Sequence, residues 1–266
     1  MRARSVDPNK RPSADPAGWL ATILLLCAIL ACVVPATRPL AAEVLASAPG
    51  LDVMEENVRR PDGGSARLLV ARMASGSFLA SAAGMRDALP GSGWSVLVNG
   101  GYFERSGRPT HGLADGDRQV SKFTRSGGVL RCRDGACWIV AATRFDEKTP
   151  FDLAVQSTPR LLAGGVPVAG IRQPSVVDGR AGVAIDGRGR LLVFATGPRP
   201  DTGLSFDQVR EIMSSRFGAR DVMMLDGGDS ARLSIRIGSR NFESAGLSRP
   251  VPWRLLFRRG GAERSD

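Results

Sequence analysis

The chain has 266 residues, 43% of them hydrophobic, with 36 Lys and Arg against 26 Asp and Glu for a formal net charge of +10. That length and hydrophobic share suffice for one domain with a substantial core, and the basic surplus favours anionic partners. The single histidine, His111, excludes histidine-rich zinc sites and any catalytic triad that does not use it, and no zinc finger, aromatic RNA-binding signature or Lys-rich tail points to nucleic acid.

In chain order, residues 1–42 read as a signal peptide or an N-terminal membrane anchor. Arg2, Arg4, Lys10 and Arg11 precede the apolar run Trp19–Val34, which is short for a membrane span and close to a signal core. Small residues at Val34-Pro35-Ala36 and Leu40-Ala41-Ala42 offer cleavage points, and Ile29-Leu30-Ala31-Cys32 has some likeness to a lipoprotein box. Export leaves residues 43–266 as a single domain in the periplasm or outside the cell, where envelope polysaccharide and anionic lipid headgroups are the expected neighbours.

Strands are expected at 52–58 and 66–73, separated by Pro61-Asp62-Gly63-Gly64, then a short helix over 81–89 stopped by Pro90-Gly91. Trp94–Val98 is an apolar strand that delivers Asn99. A glycine-rich loop around Gly107, Gly112 and Gly116 follows and holds His111. Residues 128–142 form a hairpin about Asp134-Gly135, a two-residue turn that pairs Arg133 with Ala136 and Cys132 with Cys137. The cysteines then occupy a non-hydrogen-bonded position, where Cα atoms are close enough for a cross-strand disulfide in an oxidising compartment.

Short strands at 153–156 and 160–162 flank Ser157-Thr158-Pro159, and 181–185 with 190–195 form a second, nearly charge-free and therefore buried hairpin. Ser205-Phe206-Asp207-Gln208 is a capping box, and Phe206, Val209, Ile212 and Met213 continue with helical spacing until Gly218. Strands at 221–225, 231–237 and 253–258 finish the chain. The sum is an α+β fold: a strand-rich single domain with a mostly antiparallel or mixed sheet and few helices.

Two stretches are built alike, an apolar strand followed by a polar side chain and two glycines: Val98-Asn99-Gly100-Gly101 and Leu225-Asp226-Gly227-Gly228. A carboxylate at a strand end is a usual place for a functional group; the plain alternative is a turn in which Asp and Gly only supply the dihedrals. Gly228-Asp229-Ser230 is like the opening of one esterase class, but no histidine follows Ser230, and Arg232 stands where the lipase elbow needs glycine. Carboxylates for glycosyl chemistry are plentiful, at Glu104, Asp115, Asp117, Asp178, Asp186, Asp226 and Asp229, with Asp226 the leading candidate and Asp229 next.

These residues resemble the phosphodiester glycosidase family, which includes bacterial exported proteins. The matching pieces are Asn99-Gly100-Gly101-Tyr102-Phe103, Pro109-Thr110-His111-Gly112-Leu113, Gln156 with Pro159-Arg160-Leu161, Arg180-Ala181-Gly182-Val183-Ala184-Ile185-Asp186, and Leu225-Asp226-Gly227-Gly228-Asp229-Ser230-Ala231, in the family's order. The family usually has Gly or Ser where Asp229 stands and Thr where Ala181 stands.

The resemblance implies hydrolysis of the bond between a sugar's anomeric carbon and a phosphodiester oxygen, in envelope or extracellular polysaccharide, with no cofactor. Asp226, Asn99 and His111 would be catalytic: Asp226 stabilising an oxocarbenium-like carbon or activating water, Asn99 holding a sugar hydroxyl or the water, and His111 donating a proton or binding phosphate. Arg180 is the expected phosphate clamp and Arg160 a second cation, with Ser230 and the backbone amides of Gly100, Gly101, Gly227 and Gly228 lining the substrate. Plainer readings stand beside these: Arg180 as a surface side chain in a turn, and His111 as a loop histidine held by backbone. The charge of Asp229 leaves room for a non-catalytic polysaccharide-binding or assembly protein with the same fold, or for a cation between Asp226 and Asp229.

Overall fold

The computed structural model describes residues 42–84, 93–244 and 250–260. All of the leader but Ala42 lies outside the described residues, and within them no helix is long and apolar enough to cross a membrane.

Eighteen strands run in chain order: β1 (Glu43–Ala48), β2 (Leu51–Arg59), β3 (Ser65–Met73), β4 (Phe78–Gly84), β5 (Trp94–Asn99), β6 (Leu113–Asp115), β7 (Arg118–Ser121), β8 (Gly128–Arg133), β9 (Ala136–Ala141), β10 (Leu153–Ser157), β11 (Arg160–Ala163), β12 (Val166–Pro167), β13 (Ala181–Asp186), β14 (Leu191–Ala195), β15 (Ala219–Met224), β16 (Leu233–Ile237), β17 (Arg240–Glu243) and β18 (Trp253–Arg259). Among the described residues one α-helix, α1 (Phe206–Ser215), interrupts them. The strands form an eight-stranded sheet in the order β1-β2-β3-β14-β13-β15-β11-β12, a five-stranded sheet β7-β6-β10-β8-β9, and another β17-β16-β5-β18-β4.

The strand-rich expectation holds, and every ladder among the described residues is antiparallel, with no mixed sheet. With one α-helix among the described residues, the fold lies at the β end of the expected class.

The large sheet is apolar on both faces, which is why β13 and β14 carry almost no charge. Side chains at alternate positions divide: Leu69, Val183, Val193 and Met223 enter one core with Val98, Leu130, Leu153, Leu233 and Leu255 of the two smaller sheets. Leu68, Val70, Leu192, Phe194, Val222 and Met224 enter another with Val209 and Met213 of α1. The helix starts where its capping box predicts, with Ser205 Oγ accepting from Gln208 N (3.1 Å) and Gln208 Oε1 accepting from Ser205 N (2.9 Å). It stops three residues short of Gly218, with Arg216 as its C-cap, and Gly218 makes the left-handed turn into β15 (φ 66°).

The expected helix over 81–89 is not formed at its start. Residues 81–84 belong to β4, whose backbone pairs with β18 from Trp253↔Gly84 to Arg259↔Phe78, while 85–89 lie outside the described residues. A run of Ala and Ser has no apolar stripe strong enough to resist an available strand partner. The strands without an expectation (β1, β6, β7, β12, β17) are mostly short or at sheet edges, where pairing adds little pattern to the sequence.

The β8–β9 hairpin has the expected register, Cys132 opposite Cys137 and Arg133 opposite Ala136 about the Asp134-Gly135 turn. The two cysteines form a disulfide with Cα atoms 4.1 Å apart. Because it closes a loop of only six residues, chain entropy limits it to about 2 kcal/mol. Urea unfolding of a Cys132→Ser/Cys137→Ser variant is expected to show that loss, with reductant destabilising the wild type and leaving the variant unchanged; equal response of both proteins to reductant would contradict the assignment.

Candidate functional site

The site forms where strands from two sheets end together. β13 and β15 lie side by side, and their ladder continues past both strands: Leu225 N–H donates to Ala181 O (2.9 Å) and Gly228 N–H to Gly179 O (2.9 Å). Asp178, Gly179 and Arg180 are thereby laid against Asp226, Gly227 and Gly228. Gly228 sits in the left-handed region (φ 55°) and opens a 3-10 turn through Ser230; a β-carbon there would come 3.6 Å from Asp178 Oδ2.

Asp226 is half-buried. Its Oδ1 accepts the Gly227 N–H (3.0 Å), and its own N–H donates to Gly100 O (3.2 Å). Asn99 reaches the same place from β5. Its Nδ2 donates to Asp226 O (2.8 Å) and to Gly100 O (3.0 Å), and its Oδ1 accepts the Arg232 N–H (3.0 Å). Both amide hydrogens and the oxygen are thus engaged by backbone in a side chain that is 1% exposed. The expected contact of Asn99 with a sugar hydroxyl or water gives way to another position, behind Asp226.

Arg180 is buried (8% exposed) and tightly held: Nε donates to Leu204 O (2.8 Å), Nη2 to Val176 O, and the guanidinium lies 3.9 Å from the centre of the Phe206 ring. It is not the surface side chain of the plainer reading. Nη1 faces the turn, 3.9 Å from where a β-carbon on Gly227 would stand. Burial pulls the Arg180 pKa down, and the charge of Asp178 opposes this.

Tyr102, the chain's one tyrosine, completes the cluster together with its one histidine. The Tyr102 and His111 ring centres are 6.1 Å apart. Burial raises the Tyr102 pKa, and the carboxylates of Asp226 and Asp178 raise it further against the pull of Arg180, so the phenol stays protonated at neutral pH. Burial lowers the His111 pKa below 6.5, which leaves that ring neutral. Thr110 Oγ1 donates to Tyr102 O (3.1 Å) and lies 3.0 Å from His111 Nδ1, fixing both residues in one loop.

Of the expected site residues, Asp226 and Arg180 come together around Tyr102, with His111 on the other side of that ring's loop contact and Asn99 behind Asp226. Tyr102 and Asp178 join them: Tyr102 stands in a matched motif with no role expected of it, and Asp178 is one of the available carboxylates but not a leading candidate, its nearness to Arg180 along the chain being the available signal.

Arg160 does not join the cluster. It pairs with Asp221 Oδ1 (3.3 Å), five residues before Asp226 and so about 17 Å away along an extended strand. Three of the four amides expected to line a phosphate are engaged within the protein: Gly100 N–H donates to Trp253 O (3.1 Å), while those of Gly227 and Gly228 go to Asp226 Oδ1 and Gly179 O. Gly100 is required for packing, since a β-carbon would fall 2.4 Å from the Trp253 ring. Gly101 is buried against Gln156 O and Ser157, and Ser230 is buried within its turn. Asp229 is exposed, and among the described residues no group of three His, Cys, Asp or Glu side chains is placed to hold a metal ion.

The phosphodiester glycosidase family model matches residues 92–258. In fold, the chain is similar to the catalytic domain of zebrafish N-acetylglucosamine-1-phosphodiester alpha-N-acetylglucosaminidase auto-inhibited by its pro-peptide (TM-score 0.58, 16% identity, 83% of this chain and 87% of that one). It is also similar to a hypothetical protein from Synechocystis (TM-score 0.60, 13% identity), where the alignment covers 84% of this chain and 65% of the other. No curated protein sequence matches the chain.

Two measurements follow from this geometry. Asn99→Ala removes a buried amide bonded to three backbone groups and is expected to cost about 3 kcal/mol in a denaturant melt; a loss below about 1 kcal/mol would remove the amide as the holder of the Asp226 backbone. For His111, the unfolded chain takes up a proton at 6.5 and the folded chain only at lower pH. Stability from the neutral ring is therefore complete above pH 6.5 and lost as pH falls towards the folded value. The melting temperature of the wild type should drop more between pH 7 and pH 5 than that of His111→Gln, and equal drops would count against the neutral ring.

Proposed function

The chain belongs to the phosphodiester glycosidase family, and on that premise we propose that it hydrolyses a glycosyl phosphodiester, separating a sugar's anomeric carbon from a phosphodiester oxygen. The observation that carries this reading is the convergence of Asp226, Asp178, Arg180, Tyr102 and His111 at one end of β13 and β15.

The leaving group decides which residues matter. A phosphate monoester has a second pKa of about 6 and departs as an anion without a strong acid. What it needs is a fixed cation. Arg180 supplies one whose orientation is set by two carbonyls and a phenyl ring, with Nη1 turned to the site. The Asp226 carboxylate, held by the Gly227 N–H, faces the developing positive charge on the anomeric carbon.

His111 acts as the base. The Thr110 hydroxyl gives its hydrogen to Tyr102 O, so its lone pair meets Nδ1–H and the neutral ring presents Nε2 as an acceptor. Water losing a proton to Nε2 attacks the anomeric carbon as the phosphate leaves. Tyr102, protonated, donates to a substrate oxygen. Asn99 is a positioning residue that acts through the Asp226 backbone. The leader and the basic charge favour an exported protein acting on envelope or extracellular polysaccharide.

Release of free sugar from UDP-N-acetylglucosamine and simpler glycosyl phosphodiesters tests this. Asp226→Asn should lose between about 10²- and 10⁴-fold in kcat with an unchanged melting profile, and Arg180→Lys should weaken turnover because an ammonium does not replace the stacked fork. An unaffected rate in Asp226→Asn would falsify the assignment. Exposed Asp229 supports the second reading, a polysaccharide-binding protein: silence of the wild type with turnover by Asp229→Gly would favour it.

A further inference from the structure

A cavity of about 300 Å³ lies beside the Tyr102–His111 loop. Residues 103–109 close on themselves, Phe103 bridging Pro109 and Glu104 N–H donating to Arg108 O (2.9 Å), and the cavity lies against the Ser106–Pro109 limb of that hairpin. Leu113, Val120, Pro252 and Trp253 make its apolar walls. Among the described residues, Arg108 and Arg118 bring the only charges in the lining; both are exposed, and neither forms a salt bridge among them. Asp115 faces Arg118 from outside the lining and takes the Ala82 N–H. Asp226, Asp178 and Arg180 take no part in the cavity.

The second observation concerns Trp253. Its benzo edge rests over Gly100, and its Nε1, on the opposite edge of the indole, is buried with no acceptor among the described residues in a side chain that is 8% exposed. An unpaired buried donor is costly and calls for an acceptor. Trp94, by contrast, donates its Nε1–H to Pro49 O (3.0 Å).

We propose that this cavity is a binding site for an anionic sugar, one saccharide ring bearing a phosphate or carboxylate. Two guanidinium forks at the rim suit either anion, and the Trp253 indole, as part of the wall, is the group whose surroundings change when the cavity is filled. The indole and proline walls suit the C–H face of a pyranose, and the volume is at the small end of ligand cavities, about 300 to 1,000 Å³, enough for a single unit. An inorganic anion would leave the apolar walls unfilled. The site shares the 103–109 hairpin with Tyr102 and His111, and it stands independently of the proposed hydrolysis.

The test is a ¹⁵N–¹H spectrum of the full chain, whose four tryptophans give few indole signals, with Trp253 assigned from Trp253→Phe. Titration with glucose 6-phosphate or glucuronate should move the Trp253 indole resonance to saturation and leave that of Trp94 in place; a response to one of the two identifies the anionic group. Glucose and inorganic phosphate should each bind at least about tenfold more weakly, and Arg108→Gln/Arg118→Gln should lose about tenfold or more in affinity for the anionic sugar. The Asp226→Asn variant should bind as the wild type does, which separates this result from any outcome of the turnover assay. A static Trp253 resonance, equal binding of glucose or phosphate alone, or undiminished binding by the double arginine variant would overturn the proposal.

Discussion

The three hydrogen bonds of the Asn99 side chain are the interaction on which the rest of the site depends. The chain leaves the eight-stranded sheet at Met224 and enters a five-stranded sheet at Leu233, and Asp226 lies on that crossing. At such a crossing the regular ladders stop and backbone groups lose their partners. Asn99, at the end of β5, supplies them for Asp226 O, Gly100 O and Arg232 N together. A buried amide with every group engaged is directional in a way that apolar packing is not, so it fixes where the Asp226 backbone sits.

Gln156 does the same at another crossing, where β10 of a small sheet leads into β11 of the large one. Its Oε1 accepts the Gly112 and Thr124 N–H groups (3.1 and 2.8 Å), and its Nε2 donates to Thr124 and Ser126. The loop after His111 is thereby tied to the strand that precedes Arg160. Two motif amides that invite a reading as substrate ligands are instead the internal fasteners of a three-sheet domain, and the groups left to meet substrate are the ones they position.

The electrostatics of the site follow from partial burial. Two carboxylates and one guanidinium share a small space with a phenol and an imidazole. Burial keeps the phenol protonated and the imidazole neutral, while Arg180 retains its hold through carbonyls and the Phe206 ring. Phe206 is at once the first residue of α1 and the platform for the cation, so the capping box that starts the helix also sets the position of Arg180.

Local chemistry was enough to read the Cys132–Cys137 hairpin, the charge-free β13–β14 pair, the start of α1 and the strand-end position of Asp226, because each depends on a turn, a cap or an alternation within about twenty residues. The motifs suggest substrate contacts for Asn99, Gly100 and Arg160, and these are not the tasks the fold gives them. Whether an amide faces substrate or backbone, whether a glycine N–H is free or bonded to Trp253 O, and whether an arginine meets Asp226 or Asp221 depend on which strand ends are brought together. Only the tertiary structure decided this. Hydrogen-bond partners 127 and 133 residues apart, such as Asn99 with Asp226 and Arg232, leave no periodicity in the chain that joins them.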